Sequence, residues 1–346
     1  MSARRPNKAA TPRGKSVTVA GVTVAPGQRE QFQMPVARLS TGADMNMPVT
    51  VVNGAAPGPS LLLTAAIHGD EINGVEIARE VLDAVTPAHL KGTLIVASVV
   101  NIFGFVNQSR YLPDRRDLNR SFPGSARGSL AARMAHLVMT ELVSKCKYAI
   151  DYHSAAEQRV NIPQIRGDLN DPETRRLTEA FAAPVMFNAE GLSGTLRSSA
   201  LKAGVKILLY EGGGTMRFER STVASGAEGT LRVMTALGML DASDIIRNLA
   251  VARPSIEVGR TSWGRADMSG ILRLNTKLGG TVARRQVIGD ISDVFGTSVA
   301  KVRAPVAGIV IGLTKKPHVT RGEGIVHVGA TDLRKSPPKE EQEEEH

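Results

Sequence analysis

Short apolar runs alternate with stretches of helical periodicity between about residues 60 and 250. The apolar runs predict buried strands at residues 60–67, 94–100, 147–152 and 206–210. Apolar residues spaced by three or four positions predict helices at residues 71–85 and 130–145. Strands and helices that alternate in this way are typical of an α/β protein, in which helices cover both faces of a parallel or mixed sheet.

From about residue 256 the pattern changes to short β segments separated by glycines. It contains a weak repeat, because GILRL at Gly270 and GIVIG at Gly308 are followed by apolar residues at similar offsets. Two similar halves predict a small all-β barrel or sandwich. The stretch APVAGIVIG resembles the biotinyl/lipoyl-carrier fold. Lys277 lies near the expected hairpin but lacks a Met-Lys-Met context, so a structural or oligomerising role is favoured over a carrier role.

These patterns divide the chain into four parts. Residues 16–255 form the predicted α/β domain and residues 256–331 the small β domain. Two domains agree with the length of 346 residues, at about 150 residues per domain. The ends are rich in Lys, Arg and Pro (residues 1–15) or in Pro and Glu (residues 332–346), and this composition predicts disordered tails.

The charge and the composition exclude several classes of protein. The net charge of +10 divides into +5 in residues 1–15, −3 in residues 332–346 and +8 between them. A body this basic attracts nucleic acid, membrane surfaces or small anions, but an aromatic content of 4% disfavours a base-stacking platform. No apolar window approaches the roughly 18 residues of a membrane span, and no apolar stretch follows the basic start. With one cysteine, Cys146, the sequence predicts a cytoplasmic protein without disulfides.

Two motifs at predicted strand ends carry metal-binding side chains. His68 and Glu71, in AIHGDEING, lie at a strand-to-helix turn, where ligands bind in open α/β sheets. His153, in DYHS, follows another strand and is the best-placed third ligand. Two histidines and one carboxylate leave a coordination position open, which is typical of catalytic zinc. Taken singly, each residue also fits a surface turn or a buried core.

Two further motifs suggest catalysis and substrate binding. Arg110, Asn119 and Arg120 lie in a loop bounded by glycine and proline, and guanidinium groups there can bind a carboxylate. Loop arginines are otherwise simply solvated. Glu211 follows an apolar strand and precedes three glycines, so its carboxylate can move a proton between water and a leaving nitrogen. A strand-end glutamate that faces solvent is the alternative.

Taken together and in this order, the motifs HGDE, RY…DLNRSFPG, DYH and YEGG resemble the succinylglutamate desuccinylase/aspartoacylase family, a branch of the zinc carboxypeptidase fold. The resemblance extends over about residues 50–330. It implies one zinc ion per chain, held by His68, Glu71 and His153. It also implies that Glu211 is the general base and acid and that Arg110 polarises the scissile carbonyl. Asn119 and Arg120 would hold the substrate carboxylate.

The expected function is that of a zinc-dependent amidohydrolase, which cleaves an N-acyl amino acid by glutamate-assisted attack of zinc-bound water. The expected partner is this small molecule, without nucleic acid or membrane. A zinc carboxypeptidase acting on small peptides is the alternative within enzymes. A basic binding protein with a degenerate or structural zinc site is less favoured, because all four key residues are present. The sequence leaves the acyl group and the amine open, and it is compatible with a homo-oligomer.

Overall fold

The structure is a computed structural model that describes residues 14–189, 191–245, 249 and 251–331. The predicted tails fall almost entirely outside these residues. The strands of the first 214 residues are β1 (Val17–Val19), β2 (Val22–Val24), β3 (Gln28–Arg38), β4 (Asp44–Asn53), β5 (Ala56–Thr64), β6 (Lys91–Ala97), β7 (Tyr148–Ala155), β8 (Arg159–Gly167), β9 (Val185–Asn188) and β10 (Lys206–Gly214).

The helices lie between and after these strands. They are α1 (Asn73–Ala84), α2 (Ile102–Val106), α3 (Leu130–Glu141), α4 (Pro172–Phe181), α5 (Leu196–Lys202), α6 (Arg220–Ala236) and α7 (Ala242–Ile245). Short 3₁₀ turns occur at Leu118–Arg120 and Val143–Lys145. Within the described part of the chain, no helix is both long and apolar enough to cross a membrane.

The last strands belong to what we call the C-terminal β region, residues 256–330. They are β11 (Ile256–Val258), β12 (Arg260–Arg265), β13 (Gly270–Leu274), β14 (Thr281–Val282), β15 (Val287–Ser292), β16 (Val299–Arg303), β17 (Gly308–Thr314), β18 (His318–Val319) and β19 (Gly324–Ala330).

A mixed sheet of 13 strands runs through the molecule. Its centre has the order β10-β7-β5-β6, and these four strands are parallel. On one side β4 and β3 continue the sheet antiparallel, and on the other side β8 is antiparallel to β10. Since parallel strands end at the same edge of a sheet, the segments that follow β5, β7 and β10 meet there.

Helices cover both faces of this sheet, as the sequence predicts. Residues of α1, α4 and α6 share one buried cluster with the sheet, and residues of α3 and α5 share the other. In α1 the apolar spacing places Ile77, Ala78, Val81 and Leu82 against the sheet. The two clusters fix the central strands from both sides and hold their carboxyl ends in place.

The predicted strands and helices are present, but some of their ends differ. Strand β5 ends at Thr64, although the apolar run continues to Ile67. Ala65, Ala66 and Ile67 are fully buried without lengthening the strand, because the apolar pattern reports burial rather than pairing. Helix α1 begins at Asn73 instead of residue 71, and Glu71 belongs to the turn before it.

The C-terminal β region has its own buried cluster and is also joined to the main sheet. Strands β16, β15, β13 and β18 form an antiparallel sheet of four. The two halves predicted from the repeat interlock, since β13 pairs with β18 and β17 pairs with β14. Strand β17 also pairs with β8, so the main sheet continues into this region. Lys277 lies exposed between β13 and β14.

Candidate active site

Three central strands place four of the predicted functional residues at one edge of the sheet. His68 and Glu71 follow β5, His153 lies near the end of β7, and Glu211 lies in β10. Glu211 is in register with His153, and Thr64 with Asp151. Backbone hydrogen bonds from Glu71 N to His68 O (3.1 Å) and from Gly69 N to Ser109 O (3.1 Å) fix the turn after β5.

His68, Glu71 and His153 surround one point. The Nδ1 atom of His68 lies 2.6 Å from Glu71 Oε1, and the Nδ1 atom of His153 lies 2.9 Å from Glu71 Oε2. All three side chains are buried, and the backbone N–H of Ser154 donates to Glu71 Oε2 at 2.9 Å. The three ligand atoms lie within 4.8 Å of one another, so they can bind the same ion.

The outer nitrogens of both imidazoles contact a second carboxylate. Nε2 of His68 lies 3.2 Å from Asp117 Oδ1, and Nε2 of His153 lies 3.0 Å from Asp151 Oδ2. The hydroxyl of Thr64 donates to the other oxygen of Asp151 at 2.7 Å. Metal-binding histidines usually donate their second N–H to a carboxylate, which fixes the tautomer and the ring orientation.

These charges shift the pKa values of the cluster. Burial alone would lower the pKa of His68, but the carboxylates of Glu71 and Asp117 outweigh it and raise this pKa. The pKa of His153 lies well above its ordinary value, since Asp151 and Glu71 outweigh the effect of burial. Burial would raise the pKa of Glu71, but the two imidazoles hold it well below its ordinary value. A cation that binds these nitrogens must therefore displace protons.

The donor set fits a catalytic zinc site. Two imidazole nitrogens and one carboxylate face each other, and each imidazole is oriented by a second carboxylate. Zinc in hydrolases commonly has two histidines and one glutamate as protein ligands, with one position left for water or substrate. His68, Glu71 and His153 thus meet the requirement in residue type, burial and mutual distance.

Arg110 lies beside this cluster. Its Nε and Nη2 atoms donate to Asp117 Oδ2 at 3.1 and 2.8 Å, which fixes the plane of the guanidinium group. Its Nη1 atom lies 3.2 Å from His68 Nδ1 and 3.5 Å from Glu71 Oε1. The charge of Arg110 is therefore directed toward the point where the side chains of His68, Glu71 and His153 meet.

Asn119 and Arg120 lie in the short 3₁₀ turn that begins next to Asp117. The side-chain oxygen of Asn119 accepts the backbone N–H of Leu196 at the start of α5, at 2.9 Å. Asn119 is buried, whereas Arg120 is exposed. Nη1 of Arg120 donates to the backbone oxygen of Asn119 at 3.0 Å. One loop thus holds a buried amide and an exposed guanidinium next to each other.

Two residues of β8 hold the carboxylate of Glu211. Nδ2 of Asn161 donates to Glu211 Oε1 at 2.6 Å, and Nη2 of Arg166 lies 2.8 Å from Glu211 Oε2. The guanidinium of Arg166 also lies over the ring of Phe187, 4.8 Å from its centre. Each oxygen of Glu211 therefore has its own partner, and the carboxylate has a defined orientation.

Sequence reasoning did not assign roles to Asp117, Asp151, Asn161 and Arg166. Asp151 had a usable signal, because residues two apart in a strand share a face and Asp151 precedes His153 by two. Asp117 lies in an irregular loop, where no periodicity predicts its neighbours. Asn161 and Arg166 reach Glu211 only through the register of β8 on β10, which the sequence pattern does not specify.

Comparisons with known proteins show which sequences this chain resembles. The sequence profile of the succinylglutamate desuccinylase/aspartoacylase catalytic domain matches residues 57–237. The N-alpha-acetyl-L-2,4-diaminobutyric acid deacetylase of Halomonas elongata is 28% identical over 295 residues, which cover 81% of this chain and 84% of that protein.

Solved structures share the fold. A succinylglutamate desuccinylase/aspartoacylase from Rhodobacter sphaeroides is similar with a TM-score of 0.76 and 25% identity, over 87% of this chain and 94% of that one. The product-bound ectoine utilization protein EutE (DoeB) from Ruegeria pomeroyi has a TM-score of 0.76 and 22% identity, over 87% of this chain and 95% of that one.

Proposed function

This chain belongs to the succinylglutamate desuccinylase/aspartoacylase family, and on that basis we propose that it is a zinc-dependent amidohydrolase. Its proposed substrate is an N-acyl amino acid or a related small molecule with a carboxylate. The observation that carries the proposal is the meeting of His68, Glu71 and His153 around one point, with His153 in register with Glu211. Because one relative is a deacetylase of N-acetyl-diaminobutyrate, this compound is the first substrate to test.

His68, Glu71 and His153 would hold the zinc ion. When bound, zinc supplies a Lewis acid that polarises an amide carbonyl and lowers the pKa of water from about 15.7 toward about 7. Asp117 and Asp151 keep the two imidazoles in one orientation, with Nδ1 directed inward. The three proposed ligands are therefore close to one another before an ion binds.

Glu211 is the proposed proton carrier. It accepts a proton from the attacking water and then delivers it to the nitrogen of the departing amine. Asn161 and Arg166 hold its two oxygens, so the carboxylate keeps one orientation during both transfers. The position of Glu211 next to His153 in the sheet supports this role.

Arg110 is the proposed stabiliser of the negative charge that develops on the carbonyl oxygen. Its guanidinium is already oriented by Asp117, so little free energy is spent on reorganisation during the reaction. Loss of one such donor costs about 3 to 4 kcal/mol of transition-state stabilisation in other hydrolases.

Asn119 and Arg120 are the proposed carboxylate-binding residues. Asn119 uses its side-chain oxygen to hold α5, which leaves its amide N–H groups as the donors for a substrate. Arg120 is exposed and can contact a ligand that enters from solvent. Together they would bind the amino acid part of the substrate and so hold its amide in the orientation that the reaction requires.

The variant Glu211→Gln tests the proposal. We expect it to keep its zinc, because Glu211 is not among the three proposed ligands, and to lose turnover by at least about a hundredfold, which is the low end of general acid–base contributions. Metal analysis measures the zinc content. Initial rates with N-acetyl-diaminobutyrate and a panel of N-acyl amino acids measure the turnover. A zinc-loaded Glu211→Gln protein with wild-type turnover would place the general base elsewhere.

A further inference from the structure

Strand β8 connects the C-terminal β region to the proposed general base. Its first residues pair with β17, where Asn161 is opposite Gly312, and the stretch from Asn161 to Arg166 pairs with β10. Val160 contributes its side chain to the buried cluster of the C-terminal β region. Asn161, the next residue along the chain, donates to Glu211. Val160, in the buried cluster, and Asn161, in contact with Glu211, are therefore adjacent residues of one strand.

An irregularity in β8 directs Asn161 toward Glu211. Opposite Glu211 lies Gln164, and opposite Gly213 lies Asn161, so β8 has one more residue than β10 in this interval. Such a bulge reverses the alternation of side chains beyond it. Asn161 consequently lies on the same face as Gln164 and Arg166, although they lie three and five positions further along the chain.

Gly312 leaves the space that the side chain of Asn161 occupies. A Cβ atom at residue 312 would lie 2.6 Å from Asn161 Oδ1 and 3.2 Å from His327 Cβ. The first distance is shorter than any van der Waals contact, so one group would have to move. The ring of His327 is stacked on Trp263 with 4.4 Å between ring centres, and Arg159 lies over the same Trp263. Asn161, with its short side chain, is therefore the group that would be displaced.

We propose that the C-terminal β region positions the general base, through a contact in which Gly312 allows Asn161 to hold Glu211. This inference rests on the proposed role of Glu211. Asn161 is a positioning residue here, since it contacts the carboxylate and not the substrate. Arg166 still holds the second oxygen of Glu211 when Asn161 is displaced, so the expected loss is partial.

The test compares Gly312→Ala, Asn161→Ala and the double variant. Each single variant should lower kcat by about tenfold, the effect of one lost hydrogen bond to a charged group, with KM and zinc content nearly unchanged. If Gly312 acts through Asn161, the double variant should be no slower than Asn161→Ala alone. Gly264→Ala is the matched control, because Gly264 is a buried glycine of the same region whose added Cβ would meet no atom closer than 3.5 Å. It should keep wild-type kcat.

A second measurement needs no turnover. In protein labelled with ¹⁵N-asparagine, the side-chain amide signal of Asn161 is the one that disappears in Asn161→Ala. We expect Glu211→Gln and Gly312→Ala both to shift this signal, since each disturbs the hydrogen bond, and Gly264→Ala to leave it in place. An unmoved signal in Gly312→Ala, or a double variant about tenfold slower than Asn161→Ala, would overturn the proposal. If the wild type hydrolyses no amide, the proposed function fails while the NMR result still decides whether Gly312 positions Asn161.

Discussion

Asp151 illustrates how residues outside the proposed ligand set orient the proposed metal ligands. It is fully buried and contacts Nε2 of His153 with one oxygen while it accepts the hydroxyl of Thr64 with the other. Asp117 has the same relation to His68 and also orients Arg110. The proposed ligands and the proposed oxyanion stabiliser therefore depend on two carboxylates that are not among the three proposed ligands.

Asp151→Asn should weaken zinc binding by about 10- to 100-fold, as loss of such an outer carboxylate does in other zinc proteins. The amide is nearly the same size as the carboxylate but provides no negative charge for the imidazole. Competition with a chromogenic chelator measures the affinity. Thr64→Val leaves the contact between Asp151 and His153 in place and should keep most of the affinity. Equal zinc affinities of Asp151→Asn and the wild type would show that Asp151 is only structural.

Arg120→Ala should raise KM for carboxylate-bearing substrates by about tenfold, as expected for one lost charged hydrogen bond. The corresponding neutral amides should be nearly unaffected. Arg127→Ala, an exposed arginine a few residues further along, is the control and should leave both KM values unchanged. Steady-state kinetics on paired acid and amide substrates measure the difference. An equal loss on both substrates would contradict the role of Arg120 in carboxylate binding.

At the scale of elements, α4 is attached to the first residue of the strand that carries Glu211. Asp171 caps α4 and accepts the backbone N–H of Thr174 at 2.8 Å and its hydroxyl at 2.7 Å. The same oxygen lies 2.6 Å from Nζ of Lys206, where β10 begins. One carboxylate thus stabilises the helix end and holds the helix on the strand.

Asp171→Ala should lower the free energy of unfolding by about 1 to 2 kcal/mol, the usual cost of losing a helix N-cap. Urea denaturation at neutral pH measures it. Asp83→Ala removes a largely exposed ion pair with Arg79 and should cost less than about 1 kcal/mol. If Asp171→Ala and Asp83→Ala have the same free energy of unfolding, Asp171 contributes no more to stability than an exposed surface charge does.

The same residue should make stability depend on pH. The ammonium of Lys206, with the hydroxyl and N–H of Thr174, lowers the pKa of Asp171 from 3.8 to about 2. Because the folded pKa is below the unfolded one, this stabilisation is complete above about pH 4 and is lost as the pH falls toward 2. The variant Asp171→Asn can still cap the helix. Its free energy of unfolding should be lower than that of the wild type at pH 5, and this deficit should shrink as the pH falls to 2. A deficit that stays constant from pH 5 to 2 would contradict this assignment.

The elements themselves were predictable where burial and pairing coincide. The run at 206–210 lies within β10, and residues 94–97 lie in β6, whereas residues 98–100 follow that strand although Val99 and Val100 are buried. At Ala65–Ile67 burial continues after pairing ends, and the apolar pattern overstates the strand. The motifs predicted that His68, Glu71 and His153 meet. The bulge that directs Asn161 depends on the register of β8 on β10, which no local sequence pattern contains.

At the scale of the whole molecule, the sheet does not stop at the boundary that the composition suggests. Pairing of β8 with β17 joins the central strands to the C-terminal β region. The division into domains at residues 255/256, a cytoplasmic location and a homo-oligomer stay predictions. Part of the positive charge of residues 16–331 lies in Arg110 and Arg120, which would face an anionic substrate.

The central claim is that zinc held by His68, Glu71 and His153 enables this chain to hydrolyse an N-acyl amino acid. The most direct test is to measure zinc content and hydrolysis of N-acetyl-diaminobutyrate and related N-acyl amino acids in one preparation, before and after chelation and after zinc is returned. We predict about one zinc ion per chain, hydrolysis that disappears with the zinc, and recovery when zinc is restored. Full hydrolysis by the zinc-free protein would contradict the account.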